Sequence, residues 1–190
     1  MIGRRATLAA LGLWAAAGTG CGVLQGDQLT DAQQVIAGLK TGPSDLRIVG
    51  RIEQADRHYR TGEPIALSFE VNKPAFVAVL RVLPNGVTTR LFPNKIQSSA
   101  QIAANTIVRV PQTGAPLTIT AAKPGIILFE FIAAASGESW LFTRKPTGAA
   151  DFVELGATTR AVAKDLALSL KLGHGTETAA TNVTVRIEER

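Results

Sequence analysis

Short stretches of alternating apolar and polar residues, separated by turn residues, constrain the fold of this chain more than any other feature. The clearest stretch is Ile65–Val71, in which every second residue is large and apolar, as in a strand with one buried face. Ala75–Leu83 is apolar on both faces and predicts a central strand, and Pro84-Asn85-Gly86 predicts a tight hairpin after it. Short strands between frequent turns predict a mainly β fold, an antiparallel β-sandwich.

The same patterns place the remaining elements of the predicted domain, which spans 46–190. Further strands are predicted at Leu46–Ile52, Val87–Phe92, Thr106–Val110, Leu117–Thr120, Gly125–Ala133, Ser139–Thr143 and, at a sheet edge, Val183–Ile187. Thr30-Asp31-Ala32-Gln33 has the capping-box pattern and predicts an amphipathic helix over 30–42, about ten residues long, that docks on the domain. A second helix is predicted near 158–172. The expected fold therefore has one short N-terminal helix and one C-terminal helix.

Residues 1–20 have the pattern of an export signal. Arg4-Arg5 precedes an apolar run over Ala6–Ala17, which is shorter than the roughly 20 residues that a membrane-spanning helix needs. The segment Arg4-Arg5-Ala6-Thr7-Leu8 resembles the twin-arginine motif, and both that route and the general export route remain open.

Gly18-Thr19-Gly20-Cys21 resembles a bacterial lipobox, in which Cys21 would become the lipidated first residue, followed by a tether over 21–29. Cys21 is the only cysteine, so no intramolecular disulfide can form, and lipidation would remove a thiol that is a liability in an oxidising compartment. We therefore favour a lipid anchor on Cys21 on the periplasmic side of the envelope, at the outer membrane. The alternative is cleavage near Ala17, which would leave a soluble periplasmic protein.

Three stretches over about 57–143 together resemble a known family. They are Tyr59-Arg60-Thr61-Gly62-Glu63-Pro64 before the strand at 65–71, Ala75–Leu80 through Pro84-Asn85-Gly86 to Leu91-Phe92-Pro93-Asn94, and Leu117-Thr118-Ile119-Thr120 followed by Pro124-Gly125. The chain is similar to an uncharacterised bacterial family of secreted and lipoprotein domains, a domain of unknown function also found appended to caspase-like peptidases and kinases. The hairpin motif Leu91-Phe92-Pro93-Asn94 is its most specific part. The resemblance implies an immunoglobulin-like β-sandwich with an accessory role and no established catalytic residues.

Few residues could carry catalysis or hold a metal. His58 and His174 are the only histidines, and a zinc site needs three or four ligands, so we predict no metal site and no cofactor. Ser136-Gly137-Glu138-Ser139 lacks the glycine-flanked elbow of serine hydrolases and predicts a hairpin loop. Three carboxylates lie where a strand would simply expose them: Glu63, Glu70 and Glu130. We predict that the protein is not an enzyme.

The tip of the predicted hairpin and the corner after it form the candidate binding surface. Its residues are Asn85, Gly86, Phe92, Pro93 and Asn94. The interpretation that we prefer for Pro93-Asn94 is a structural corner, since proline removes a ladder donor and asparagine can cap the turn.

Removal of Arg4 and Arg5 with the signal lowers the formal net charge from +5 to +3. No basic stripe with interleaved aromatic residues remains, so no nucleic-acid partner is expected. The predicted function is a membrane-anchored envelope lipoprotein that binds or scaffolds an envelope protein, as an accessory of a secretion or cell-envelope assembly, through packing or strand addition. Two alternatives stay open, an envelope hydrolase and a periplasmic carrier of a small apolar ligand.

Overall fold

The computed structural model describes residues 28–39, 41, 44–54, 58–156, 161–166 and 177–189. Cys21, the predicted signal, most of the tether, the ends of the helix predicted near 158–172 and His174 lie outside these residues. The elements are α1 (Asp31–Ala37), β1 (Ile48–Ile52), β2 (His58–Arg60), β3 (Pro64–Ile65), β4 (Leu67–Val71), β5 (Ala75–Val82), β6 (Thr88–Phe92), β7 (Gln101–Ile102), β8 (Val108–Val110), β9 (Ile119–Thr120), β10 (Gly125–Ala134), α2 (Trp140–Thr143), β11 (Val153–Gly156), α3 (161–166) and β12 (Thr178–Glu188).

Two sheets pack face to face and enclose the main core. The small sheet has the order β1-β4-β8, and the large sheet has the order β11-β6-β5-β10-β12-β2, with β7 pairing β5. Phe69 on β4 contacts Phe92 and Phe131 of the large sheet, with ring centroids 5.1 and 6.4 Å away. The predicted mainly β sandwich is confirmed. Among the described strands, every pair is antiparallel except β12 with β2.

Helices cover the opposite face of the large sheet. Leu80, Leu128 and Ile132 on that face belong to a second apolar cluster, together with Ile36 of α1, Leu141 of α2 and Leu166 of α3. Strands β5 and β10 are therefore buried on both faces, which explains why their sequences are apolar apart from Arg81 and Glu130. Among the described helices, none is long and apolar enough to cross a membrane.

Helix α1 begins with the expected capping box. The Thr30 hydroxyl accepts from the Gln33 N–H at 3.4 Å, and the Gln33 side chain accepts from the Thr30 N–H at 3.0 Å. The same Gln33 amide donates to the carbonyl oxygens of Val82 and Ile126 at 3.0 and 2.7 Å, which fastens the helix to β5 and β10. The helix has seven residues and ends at Gly38, so it is shorter than the predicted ten.

The strand predicted at Ser139–Thr143 is wrong, because this segment forms the single turn α2. The Ser139 hydroxyl accepts from the Leu141 N–H at 3.2 Å and caps the turn. Leu141 and Phe142 are both buried, whereas consecutive residues of a strand would point to opposite faces.

The prediction that the last strand lies at a sheet edge is also wrong. Strand β12 pairs with β10 over ten residue pairs and with β2 on its other side. The alternating pattern that suggested an edge instead reflects its two environments, since Val183, Val185 and Ile187 belong to the core between the sheets.

Candidate functional site

The predicted binding surface lies mostly inside the fold, which corrects that prediction. Asn85 is exposed, but Gly86 and Pro93 are buried, and Phe92 and Asn94 are only 2% and 1% exposed. The turn itself forms as predicted, with Gly86 at a φ of 85°. Of these five residues, only Asn85 faces solvent.

Asn94 instead organises the turn that follows β6. Its Nδ2 donates to the Leu91 carbonyl at 2.9 Å, and its Oδ1 accepts from the N–H groups of Ile96 and Gln97 at 3.0 and 2.7 Å. A buried amide that satisfies three backbone groups fixes the path of the chain. These bonds support the structural interpretation of the Leu-Phe-Pro-Asn motif.

The turn held by Asn94 places Gln97 over the outer edge of the small sheet at β8. The Gln97 Nε2 donates to the Arg109 carbonyl oxygen at 2.8 Å. Arg109 lies opposite Ser68 of β4, between Val108 and Val110, which lie opposite Phe69 and Leu67. This edge strand is followed directly by Pro111. A side-chain cap and a proline both obstruct pairing with another strand.

The opposite edge of the small sheet, at β1, has a different character. The backbone N–H of Asn72 donates to the Arg47 carbonyl at 3.2 Å, and the backbone N–H of Glu53 donates to the Ala66 carbonyl at 3.0 Å. These two bonds flank β1, and they show that its odd-numbered residues are the ones that bond to β4. Because backbone groups alternate sides in an antiparallel ladder, the even-numbered residues direct their N–H and C=O groups outward: Ile48, Gly50 and Ile52. Within the described part of the chain, no hydrogen bond is made to these outward groups.

The side chains of β1 are divided between the core and solvent. Ile48 is buried, and a Cβ on Gly50 would overlap the ring of Phe131, so β1 packs directly on the large sheet. Val49 is 46% exposed and Arg51 is exposed on the outer face. The edge is thus a rigid strand that offers backbone groups beside apolar and cationic side chains.

A cleft of about 400 Å³ lies beside β6 and β11 and is walled by the loop at 144–152. Its charged lining consists of Arg81, Arg144, Lys145, Asp151 and Glu154. Arg81 and Glu154 both lie opposite Thr89 in the β5-β6-β11 ladder. The Nε of Arg81 is buried and has no hydrogen-bond partner among the described residues, and burial lowers the pKa of this guanidinium.

Arg90 ties the wall of this cleft to the sheet. It is 1% exposed, and its guanidinium donates to the carbonyl oxygens of Pro93 at 3.1 Å, Leu141 at 2.6 Å and Arg144. Burial, together with the positive charge of Arg144, lowers the pKa of Arg90 to about 10. Because its three acceptors are neutral carbonyls, Arg90 contributes positive charge next to the cleft.

Glu130 is a buried carboxyl, and the prediction that it is exposed is wrong. It is 1% exposed and lies on β10 between Leu128 and Ile132, on the face covered by the helices. Burial raises the pKa of Glu130 to about 8, against the smaller opposing effect of a hydrogen bond from Asn182. Its Oε2 has no hydrogen-bond partner in the described part of the chain. Glu130 is therefore uncharged at neutral pH.

The other candidate catalytic residues do not form a reactive arrangement. The Nδ1 of His58 lies 3.4 Å from the Oε1 of Glu188, but both side chains are more than half exposed, and neither lines the cleft. Ser139 caps α2. The residues that the structure describes contain no group of three or more potential metal ligands.

Residues 58–137 match the family described as "Domain of unknown function (DUF4384)". This segment extends from β2 to the loop before α2 and includes Arg81, Arg90 and Asn94. The match agrees with the uncharacterised domain expected over about 57–143. No curated protein and no solved structure matches the chain.

Proposed function

We propose that this protein is a lipid-anchored envelope lipoprotein that binds a protein partner by adding a strand of that partner to β1. The observation that carries the proposal is the outward direction of the backbone groups of Ile48, Gly50 and Ile52. Strand addition uses such groups for affinity and neighbouring side-chain positions for specificity.

The contrast between the two edges of the small sheet supports β1 as the docking edge. Proteins normally obstruct exposed edges because these pair with other chains. Gln97 caps the edge at β8, whereas β1 is a regular five-residue strand without proline or a register shift. Among the described residues, β1 has neither a side-chain cap nor an adjoining proline of the kind that obstructs β8.

The outer face of β1 indicates the kind of strand that would pair with it. Arg47, Val49 and Arg51 alternate along this face and are exposed. Cross-strand pairs of opposite charge and of apolar side chains stabilise a sheet by roughly 0.2–1 kcal/mol each. We therefore expect the partner to provide an extended segment with an apolar residue near Val49 and acidic residues near the two arginines.

The membrane anchor rests on the sequence at Cys21. A triacylated cysteine would hold the domain at the periplasmic side of the outer membrane, since several acyl chains bind far more firmly than one. Mass spectrometry of the mature N-terminus tests this part. A lipid-modified Cys21 supports it, and an unmodified chain that begins at Gly18 overturns it.

A site-specific photocrosslinker tests the docking edge in native membranes. It would replace Val49 of β1 or, as the matched control, Ile107, which directly precedes the capped strand β8 and is 66% exposed. We expect position 49 to give a defined crosslink that maps to one extended segment of one partner, and position 107 to give none. Equal crosslinking at both positions, or crosslinking at 107 alone, would contradict the proposal.

A further inference from the structure

The cleft beside β6 and β11 is a second feature, separate from the β1 edge. None of its lining residues belongs to the small sheet. Its volume of about 400 Å³ falls within the range of small-molecule sites, roughly 300–1,000 Å³. Ligand binding in this cleft would therefore not depend on strand addition at β1.

The lining of the cleft has an excess of positive charge. Three cationic side chains line it, Arg81, Arg144 and Lys145, against two carboxylates, Asp151 and Glu154. Among the described residues, the ion pairs lie elsewhere and join none of these groups. Buried Arg90, bonded only to carbonyl oxygens in the described part of the fold, adds a further positive charge behind the wall.

Arg81 is the innermost of these groups and has an unused donor. Its Nε is buried without an acceptor among the described residues. An unsatisfied buried donor lowers stability, and more so when it belongs to a charged group. An oxyanion in the cleft would supply the missing acceptor. Thr89, which is 8% exposed and lies next to Arg81 in the ladder, adds a hydroxyl to the same wall.

We propose that this cleft binds a small ligand through an oxyanion, either a carboxylate or a phosphate group, with Arg81 as the inner contact and Arg144 and Lys145 at the rim. The planar fork of a guanidinium matches both oxyanions, and the bonds are charge-assisted. Phe152 and Val153 line the same cleft and provide apolar contact for the remainder of the ligand.

Substitutions of Glu154 and Arg81 are expected to change anion binding in opposite directions. It lies on the other side of Thr89 from Arg81 in the same row, so its carboxylate competes with a bound anion for the positive charge. Glu154→Gln is expected to strengthen anion binding, and Arg81→Gln is expected to weaken it. General charge effects are controlled by Arg60→Gln, which removes the same charge from an exposed residue of β2, at the opposite edge of the large sheet from β11.

The experiment titrates the full-length mature protein in detergent micelles with sodium phosphate and, separately, with sodium acetate at constant ionic strength. Backbone amide shifts are followed by NMR. We expect saturable shifts at Arg81 and Thr89, with a Kd about tenfold higher in Arg81→Gln, about threefold lower in Glu154→Gln and unchanged in Arg60→Gln. The probe with the lower Kd identifies the preferred oxyanion.

Linear shifts without saturation for both probes would overturn the proposal, as would equal weakening by Arg81→Gln and Arg60→Gln. If Arg81→Gln does not fold, Arg144→Gln takes its place, because the Arg144 side chain is exposed and its carbonyl contact with Arg90 is retained. Arg144→Gln is then expected to raise the Kd, and an unchanged Kd would overturn the proposal.

Discussion

Replacement of Glu130 by glutamine is expected to remove a specific pH dependence of stability. Glutamine has the shape of the protonated carboxyl and cannot ionise. The folded protein holds the Glu130 pKa at about 8, against an ordinary value of 4.5. Between these pH values the unfolded chain has released a proton that the folded protein still binds. The free energy of unfolding of the wild type therefore falls as pH rises through this window.

The size of this effect follows from the two pKa values. Each pH unit across the window corresponds to about 1.4 kcal/mol, so the gap between 4.5 and about 8 gives a loss of about 5 kcal/mol by pH 9. Such a loss is comparable to the whole stability of many domains, roughly 5–15 kcal/mol. Above pH 8 the curve is expected to level off, because Glu130 is then ionised in both states.

The assay is urea unfolding of the wild type and Glu130→Gln at intervals from pH 5 to pH 9. The difference between the two free energies cancels the contribution of all other groups and is expected to rise with pH in favour of the variant. Glu138→Gln, which removes the same charge from an exposed loop residue, serves as the control. A difference that stays constant across this range would refute the buried, neutral state of Glu130.

Three other substitutions test the packing that positions the candidate sites. Gly50→Ala is expected to destabilise the fold by about 1–3 kcal/mol, because the added Cβ would overlap Phe131. The midpoint of urea unfolding measures this loss. An unchanged midpoint would contradict the close packing of β1. Asn94→Ala removes the partner of the buried Leu91 carbonyl and of the partly buried N–H groups of Ile96 and Gln97 and should cost about 1–3 kcal/mol by the same assay. Arg90→Lys cannot reach three carbonyls at once and should speed amide exchange in α2, whereas unchanged exchange would show that Arg90 does not hold this helix.

The strands that sequence predicts best are those whose signals are local. Period-two alternation over Ile65–Val71 corresponds to the end of β3 and to β4, which the structure divides at Ala66, and the apolar run from Ala75 corresponds to β5. Gly86 adopts the positive φ that its turn requires. Local signals conflict at Ser139, because its aromatic and branched neighbours favour a strand while the serine favours a helix cap. In the structure the Leu141 N–H donates to the Ser139 hydroxyl, and the segment is helical.

The candidate sites depend on contacts between distant residues, which local patterns do not contain. Glu130 interrupts an apolar strand, but its burial depends on helices that cover the second face of the large sheet. The capped edge at β8 arises because Asn94 directs Gln97 toward Arg109. Arg81 is one cation among many in the sequence, and only the β5-β6-β11 ladder and the loop at 144–152 place it in a cleft.

Amide hydrogen exchange at β1 tests the proposed docking edge most directly. The outward N–H groups of Ile48, Gly50 and Ile52 should exchange faster in the isolated protein than those of Val49 and Arg51, which bond to β4. In the complex with the partner crosslinked at position 49, the three outward amides should become protected while the inward pair changes little. If the three outward amides exchange equally fast in the isolated protein and in the complex, no strand is added at β1, and the proposed docking edge is wrong.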